Sequence, residues 1–436
     1  MLSVSLLATA CGRLTDLDAR LNSIVQSYRF SIMRWELSQI WKVKSPTDSA
    51  ELRTGNADGI DLVLEYFSLT DNMKALQAEI NALAAQNDRK GLMERQEELR
   101  RLQQRKSNLK ERVESVIGQQ IRAILNQEGI FSPADRYIHL GFHFPPINFR
   151  LEQPPHVLVI SPRDRIESIR EIMLGQELPL EAVEDIESKA DALGVSSLVT
   201  ELGGFGATYP TFVADDASLQ FTVKVAAEEW LHQYLAFTPL GFMYLLDATG
   251  ISRNYDVATM NETLAGMASV EISDMVMATF YPQYRPPQME EQGSEASFDF
   301  NRAMREIRIA VDQFLANGEI ERAEKFMEER RQYLASQGYY LRKLNQAYFA
   351  FYGTYANEPT SVSPIGVEMK DLRSRSASLR EFLNTMAGMT SHQDLIDSLK
   401  ARSSDEKPLS LSPPSSGAAA KCLLGRRQSG LTSPAF

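Results

Sequence analysis

Glu228, Glu229 and His232 are the residues of this sequence whose types and spacing could do chemistry together. Residues 219–237 are predicted to form a helix, and residues four apart on a helix lie one above the other, so Glu228 and His232 would share a face. A carboxylate and an imidazole both bind zinc. Glu229 would be turned about 100° around the helix axis from Glu228. Its carboxylate would then lie beside a metal-bound water, as metal-dependent hydrolysis requires.

The rest of the sequence offers few competing sites. Its two cysteines, Cys11 and Cys422, lie near the termini, which excludes a disulfide framework, a cysteine-ligated zinc site and a catalytic Cys/His pair. It contains neither a Gly-x-Ser-x-Gly motif nor a phosphate-binding glycine loop. Glu229 and His232 also have the Glu-x-x-His spacing of di-iron bundles, but such bundles need a second pair. No other histidine follows a glutamate by three residues, so this class is disfavoured.

The pattern Glu228-Glu229-x-x-His232, followed by Asn261-Glu262, resembles the pattern His-Glu-x-x-His … Asn-Glu of the gluzincins. These zinc metallopeptidases include thermolysin. The resemblance implies that Glu228, His232 and Glu262 bind the metal and that Glu229 is the general base. It further implies Zn²⁺ as the cofactor and a peptide or protein as the substrate.

The resemblance covers about residues 130–360 and implies further site residues. In gluzincins a strand beside the motif helix binds extended peptides by strand addition, and residues 201–213 have the corresponding place. The substrate-binding residues would be Gly204, Phe205, Gly206 and Ala207. The helical region downstream would supply a hydroxyl for the oxyanion, from Tyr348 or Tyr352. The order of segments is also similar to bacterial membrane-associated proteins with an altered metallopeptidase core.

Two features depart from the gluzincin pattern. Glu228 replaces the first histidine, and two carboxylate ligands would neutralise the charge of the metal. The metal would then be a weaker Lewis acid and would lower the pKa of its water less. The harder ligand set would also let Mn²⁺ or Fe²⁺ compete with Zn²⁺. The second departure is the 30-residue gap from His232 to Glu262, which a long loop over 239–256 would absorb.

The sequence alone leaves three interpretations open. The one we favour is a metal-dependent peptide hydrolase with a Glu/His/Glu site. The second is a catalytically inactive pseudo-peptidase without a cofactor, acting as a membrane-linked interaction protein that assembles through a coiled coil. In the third, the motif is only an exposed helix face. Convergence of the carboxylates and the imidazole on one point in an open cleft would favour the first.

The elements that must position these residues are mostly helices. Residues 60–127 carry a heptad-like apolar spacing interrupted by a polar turn at 86–91, which predicts an antiparallel coiled-coil hairpin. Strand character is predicted for residues 137–149 and 155–162, and the glycine-interrupted segment 197–213 reads as a strand or strand pair. Helices are predicted over 14–44, 166–174, 180–193, 219–237, 256–280, 300–316, 320–337, 340–355 and from 364 to about 400.

The predicted fold is therefore α+β and mostly helical. It comprises a zincin-like catalytic domain with a helical second lobe, preceded by an antiparallel coiled-coil hairpin. The predicted parts are an N-terminal anchor or helical segment at 1–58, the hairpin at 59–128, the zincin-like domain at 129–285, the helical lobe at 286–400 and a disordered tail at 401–436.

Composition and charge limit the partners. With 46 basic and 57 acidic side chains the formal net charge is −11, which argues against nucleic acid because phosphate binding needs a positive field. The first twelve residues are apolar and end in small residues, similar to a clipped signal sequence or the end of a membrane anchor. We therefore expect membrane attachment through the N-terminus and an extracytoplasmic location, with a cytoplasmic one left open. The coiled coil could also support a homo-oligomer.

Overall fold

The computed structural model is a mixed α+β fold in which helices predominate, which confirms the predicted class at this level. It describes residues 16–30, 57–85, 89–136, 141–206, 208–248, 251–284, 298–353, 361 and 363–405. The helices are α1 (16–25), α2 (Ala57–Ala85), α3 (Arg89–Glu128), α4 (Leu180–Asp191), α5 (Leu219–Leu235), α6 (Pro239–Ala248), α7 (Tyr255–Phe280), α8 (Phe300–Ala316), α9 (Ile320–Ser336), α10 (Gln346–Tyr352), α11 (Ile365–Ser374), α12 (Leu379–Ala387) and α13 (His392–Asp405). The strands are β1 (Phe149–Leu151), β2 (His156–Pro162), β3 (Arg170–Leu174), β4 (Val195–Glu201), β5 (Gly204–Phe205) and β6 (Thr211–Val213).

The strands form two three-stranded sheets within the described residues. In the order β3-β2-β4, β2 is the antiparallel centre, and its residues are buried on both faces. Leu158 and Ile160 pack with α1 and α4, whereas Val157 and Val159 pack against α10. The second sheet has the order β1-β6-β5, with β1 parallel and β5 antiparallel to β6, so β5 is an edge strand.

Helices α5 and α7 form the centre of the largest apolar core. Gln220 of α5 contacts Asp274 of α7, and His232 contacts Asn261, so the two helices run antiparallel. Small buried residues let the helices approach closely, namely Ala226, Ala227, Ala265 and Ala268. The polar residues of the motif therefore face their counterparts on α7.

Helices α2 and α3 pack as an antiparallel pair, as the heptad-like spacing predicts. Ion pairs join Glu65 to Arg105 and Glu79 to Arg95, so residues farther along α2 meet residues earlier in α3. No described helix combines the length and apolar character needed to cross a bilayer. The proposed N-terminal anchor and most of the proposed tail lie outside the described residues, although α13 extends to Asp405.

The helix predicted over 166–174 is wrong, because residues 170–174 form β3. Ile172 and Leu174 pack in the core with α1 and α4, whereas Glu171 and Met173 alternate with them along the strand. A strand turns successive side chains to opposite faces of a sheet. Because the segment pairs with β2, its alternating burial therefore belongs to a strand rather than a helix.

The loop predicted over 239–256 is also wrong, because α6 occupies its first half. The hydroxyl of Thr238 accepts a hydrogen bond from the Gly241 amide, and Pro239 stands in the first turn, where its missing N–H costs nothing. A Cβ on Gly241 would lie 1.9 Å from the carbonyl oxygen of Leu235. Glycine thus lets α6 fold directly back onto the end of α5.

Four other predicted elements are shorter or differently placed. The strand predicted over 137–149 begins only at Phe149 among the described residues, because Pro145 and Pro146 have no N–H for a sheet. Within residues 16–30, the described part of the helix predicted over 14–44, only 16–25 is helical, and the Phe30 amide then donates a hydrogen bond to the carbonyl oxygen of Met173 in β3. Residues 31–44 lie outside the described residues. The helix predicted over 340–355 is Gln346–Tyr352, and the stretch predicted after 364 is divided into α11, α12 and α13.

Candidate functional site

Two capped helices fix the backbone of the site. The Ser218 hydroxyl accepts a hydrogen bond from the Phe221 amide at the start of α5, and the Asn254 side chain accepts one from Val257 at the start of α7. Such caps satisfy amides that a helix leaves unpaired at its N-terminus. The antiparallel packing of α5 and α7 then brings His232 of α5 close to Asn261 and Glu262 of α7.

His232 lies between the two adjacent polar residues of α7. Its Nδ1 atom is 3.2 Å from Oδ1 of Asn261, and its Nε2 atom is 3.5 Å from Oε2 of Glu262. Burial opposes the charged imidazole, but the carboxylates of Glu262, Glu229 and Glu228 outweigh it and raise the pKa of His232. Two of the predicted ligands therefore face each other directly.

Tyr244 of α6 completes this group, although the sequence analysis did not name it. Its hydroxyl donates a 2.6 Å hydrogen bond to Oε1 of Glu262, and its ring stacks on that of His232 with centroids 6.3 Å apart. The charge of Glu262, followed by burial, raises the pKa of Tyr244. The Thr-Pro start of α6 was the signal that could have revealed this residue, because it marks a helix that turns back toward the motif.

Glu229 lies in a cradle formed by two glycines. A Cβ on Gly204 would stand 2.3 Å from Oε1 of Glu229, and one on Gly206 would stand 2.6 Å from Oε2. The Gly206 amide donates a hydrogen bond to this carboxylate, and the Gln233 side chain fixes the loop by donating to the carbonyl oxygen of Gly206. Burial, opposed by His232 and assisted by Glu228, raises the pKa of Glu229 to about 8.

Glu228 is buried beside the same group but is directed to a lysine. Its Oε2 atom is 3.7 Å from Nζ of Lys224, one turn earlier on α5. Burial raises the pKa of Glu228, although Lys224 and His232 oppose this effect. Within the described residues, no group of three His, Cys, Asp or Glu side chains is arranged to hold a metal ion. Of the three proposed ligands, His232 and Glu262 face each other. Glu228 is directed to Lys224, so its side chain would have to rotate to reach the same metal ion.

The predicted substrate strand is placed against Glu229. Gly204 and Phe205 form β5, which pairs with β6, and the ring of Phe205 packs edge-on against Phe30 with centroids 6.5 Å apart. Ala207 lies outside the described residues. The backbone of this edge strand thus adjoins the proposed general base.

Tyr348 and Tyr352 lie on α10, which packs on the sheet containing β2 and β4. Their rings have centroids 4.6 Å apart, and the hydroxyl of Tyr352 shares a 3.0 Å hydrogen bond with Thr200 of β4. Their role as oxyanion donors stays a prediction.

Glu171 of β3 is a carboxylate that the sequence analysis did not name. Desolvation is the main cause that raises the pKa of Glu171, and the negative charge of Glu262 adds to this effect.

Comparison with protein-family models, curated proteins and solved structures finds no match to this chain. The resemblance to gluzincins therefore rests on the sequence motif and stays a prediction.

Proposed function

We propose that this chain is a metal-dependent peptide hydrolase of the gluzincin type, in which Glu228, His232 and Glu262 bind Zn²⁺ and Glu229 is the general base. The observation that carries the proposal is the 3.5 Å separation of His232 Nε2 and Glu262 Oε2. Two ligand atoms that each lie ~2.1 Å from a tetrahedral zinc are about 3.4 Å apart. An N–H···O hydrogen bond would be shorter, typically ~2.7–3.2 Å.

The partners of these two side chains support the same assignment. In this assignment the Asn261 oxygen accepts the hydrogen of His232 Nδ1, and Nε2 faces Glu262; the raised pKa of His232 means that, without a metal, a proton lies between Nε2 and this carboxylate. Two lone-pair acceptors facing each other require a cation or a proton between them. Tyr244 occupies only Oε1 of Glu262, so Oε2 remains available. Ligands in metalloproteins are commonly oriented by such outer hydrogen bonds.

Glu229 has the properties of a general base. The pKa of Glu229 is about 8 in the metal-free protein, and a bound cation, which favours the carboxylate, would lower it toward neutrality, where a base can both take up and release a proton. When bound, the metal would polarise the peptide carbonyl and acidify a water molecule. Glu229 would take the proton of that water and pass it to the leaving amine. An extended peptide would pair with the edge strand β5, and Tyr348 or Tyr352 would be the proposed oxyanion donor.

The finer features of the fold and its setting belong to the same proposal. We propose a zincin-like domain with a helical second lobe, and supercoiling of α2 and α3, which their antiparallel ion pairs support. The substrate would be a peptide or protein, and Mn²⁺ or Fe²⁺ could replace Zn²⁺ in the Glu/His/Glu set. Attachment to a membrane through the N-terminus, an extracytoplasmic location and a homo-oligomer formed through the hairpin are also proposals.

The test is hydrolysis of a mixed peptide library by the zinc-loaded protein and by Glu229→Gln. We expect Glu229→Gln to lower the rate by at least ~100-fold, because general acid–base catalysis contributes ~10²–10⁴-fold. Glu184→Gln, which changes an exposed glutamate of α4, is the control and should retain the rate. Equal rates for Glu229→Gln and the control would refute the mechanism.

A second candidate is a catalytically inactive pseudo-peptidase that binds peptides without cleaving them. The observation that favours it is the ion pair between Lys224 and Glu228, which neutralises one proposed ligand. Such a protein would have no cofactor and would act as a membrane-linked interaction protein. Peptide binding that is unchanged by a chelator, without cleavage, would support this candidate over the hydrolase.

A further inference from the structure

A second candidate binding site lies between α8 and α9, and it shares no residue with the acidic site. A cavity of about 450 Å³ opens between the start of α8 and the second half of α9. Its apolar lining comes from Phe298, Ala303, Ile307, Phe326 and Tyr333. Pockets for small molecules typically enclose ~300–1,000 Å³ and are mainly apolar with a few polar groups. The size therefore suits a small molecule, and the lining, in which aromatic rings stand beside charged side chains, suits one that carries both an apolar body and a polar group.

Arg330 is the polar group of this cavity that has no anionic partner. Its guanidinium carbon lies 4.9 Å from the ring centroid of Phe326 and 5.9 Å from that of Tyr333. Contact with an aromatic ring engages the face of the guanidinium, whereas its N–H donors point outward in the plane. No carboxylate in the described part of the chain lies within ion-pair distance of Arg330. The two rings contact its guanidinium group, and its N–H groups remain available to a ligand.

The other charged groups of the cavity are already engaged. Nε of Arg302 lies 2.9 Å from Oε1 of Glu306, and Asp299 accepts a 2.9 Å hydrogen bond from the Arg302 amide as the cap of α8. The neighbouring Arg331 is likewise paired with Glu328 at 2.7 Å. Among the described residues Arg330 is therefore the cation of this cavity without an anionic partner, and a guanidinium matches a carboxylate with two parallel hydrogen bonds.

We propose that this cavity binds a small amphipathic carboxylate. The apolar body would lie among Phe298, Phe326 and Tyr333, and the carboxylate would accept two hydrogen bonds from Arg330. Phe298 meets Tyr333 edge-on at 5.8 Å between centroids, so these two rings form one aromatic wall of the cavity. This proposal is independent of the proposed hydrolase.

The test compares 2-naphthoate with its neutral amide, 2-naphthamide, by titration calorimetry on the full chain. We expect the wild type to bind 2-naphthoate at least ~10-fold more tightly than the amide, since charge-assisted hydrogen bonds are about twice as strong as neutral ones. Arg330→Met should abolish this preference. Arg305→Met, which removes an exposed arginine of α8 that does not line the cavity, should keep it.

A second variant tests where the ligand binds. Ala303→Trp would place an indole ring among the lining residues and should obstruct the binding of both ligands. The proposal is overturned if 2-naphthoate does not bind the wild type. It is equally overturned if the preference survives Arg330→Met or is lost to the same extent in Arg305→Met. Undiminished binding to Ala303→Trp would place the ligand elsewhere and would also overturn it.

Discussion

The hydroxyl of Tyr244 lies 2.6 Å from Oε1 of Glu262, and this hydrogen bond joins α6 to the helix that carries the proposed third metal ligand. The contact exists because α6 folds back immediately after α5, where Gly241 passes the carbonyl of Leu235 at a distance that no side chain would allow. Helices α5, α6 and α7 therefore hold the acidic site as one unit.

Tyr244→Phe should weaken Zn²⁺ binding while leaving the fold intact. The change removes the hydrogen bond that orients Glu262, and the loss of such an outer partner typically lowers metal affinity by ~10–100-fold. Tyr255→Phe, which removes a long 3.3 Å hydrogen bond to Gly353, is the matched control. Competition with a chromogenic chelator gives the affinities, and equal values for the two variants would contradict the role of Tyr244.

Gly206→Ala should destabilise the protein and displace the Glu229 carboxylate. The added Cβ would stand 2.6 Å from Oε2 and 3.2 Å from the carbonyl oxygen of Glu229. Overpacking of this kind costs roughly 1–3 kcal/mol. Gly175→Ala is the control, because its Cβ would meet its nearest neighbour at 3.7 Å. Thermal unfolding should separate the two variants, and identical midpoints would show that the cradle is not tight.

The motif and its two helices could be predicted from sequence because their signals are local. Glu228, Glu229 and His232 lie on one helix, and Asn261-Glu262 lies on another. Each motif can therefore be recognised within its own helix, and only the packing of the two helices depends on distant contacts. Glu171 could not be placed, since its segment becomes a strand through pairing with β2, a contact distant in the chain. Tyr244 was missed because Pro239 and Gly241 were interpreted as a loop.

The metal-free protein should lose stability as the pH rises through neutrality because of Glu229. Its pKa is raised from 4.5 in the unfolded chain to about 8 in the fold, so the unfolded chain releases this proton first. The favourable contribution of the protonated carboxyl is complete below about pH 4.5 and is lost as the pH rises through about 8.

Glu229→Gln cannot undergo this titration, so the comparison isolates Glu229. In the presence of a chelator, the variant should match the wild type near pH 4 and exceed it by roughly 5 kcal/mol at pH 9, since each pKa unit corresponds to ~1.4 kcal/mol. Unfolding by denaturant at several pH values measures the difference. A difference that does not change with pH would contradict the raised pKa of Glu229.

Glu228→His should increase Zn²⁺ affinity, because it restores the His-Glu-x-x-His pattern on α5. A neutral imidazole would replace a carboxylate that is now directed to Lys224, and it would leave more positive charge on the metal. We expect tighter zinc binding and faster peptide hydrolysis, because the metal would be a stronger Lewis acid. Glu184→His on α4 is the control for an added histidine. Unchanged zinc affinity in Glu228→His would indicate that position 228 does not face the metal.

The central claim is that His232 and Glu262 bind one metal ion. The most direct test is the zinc content, by elemental analysis, of protein that has been stripped with a chelator, reloaded with Zn²⁺ and desalted. The account predicts about one zinc per wild-type chain and a large loss in both His232→Ala and Glu262→Ala, because each removes a ligand. Equal zinc content in the wild type and both variants, or none in the wild type, would contradict it.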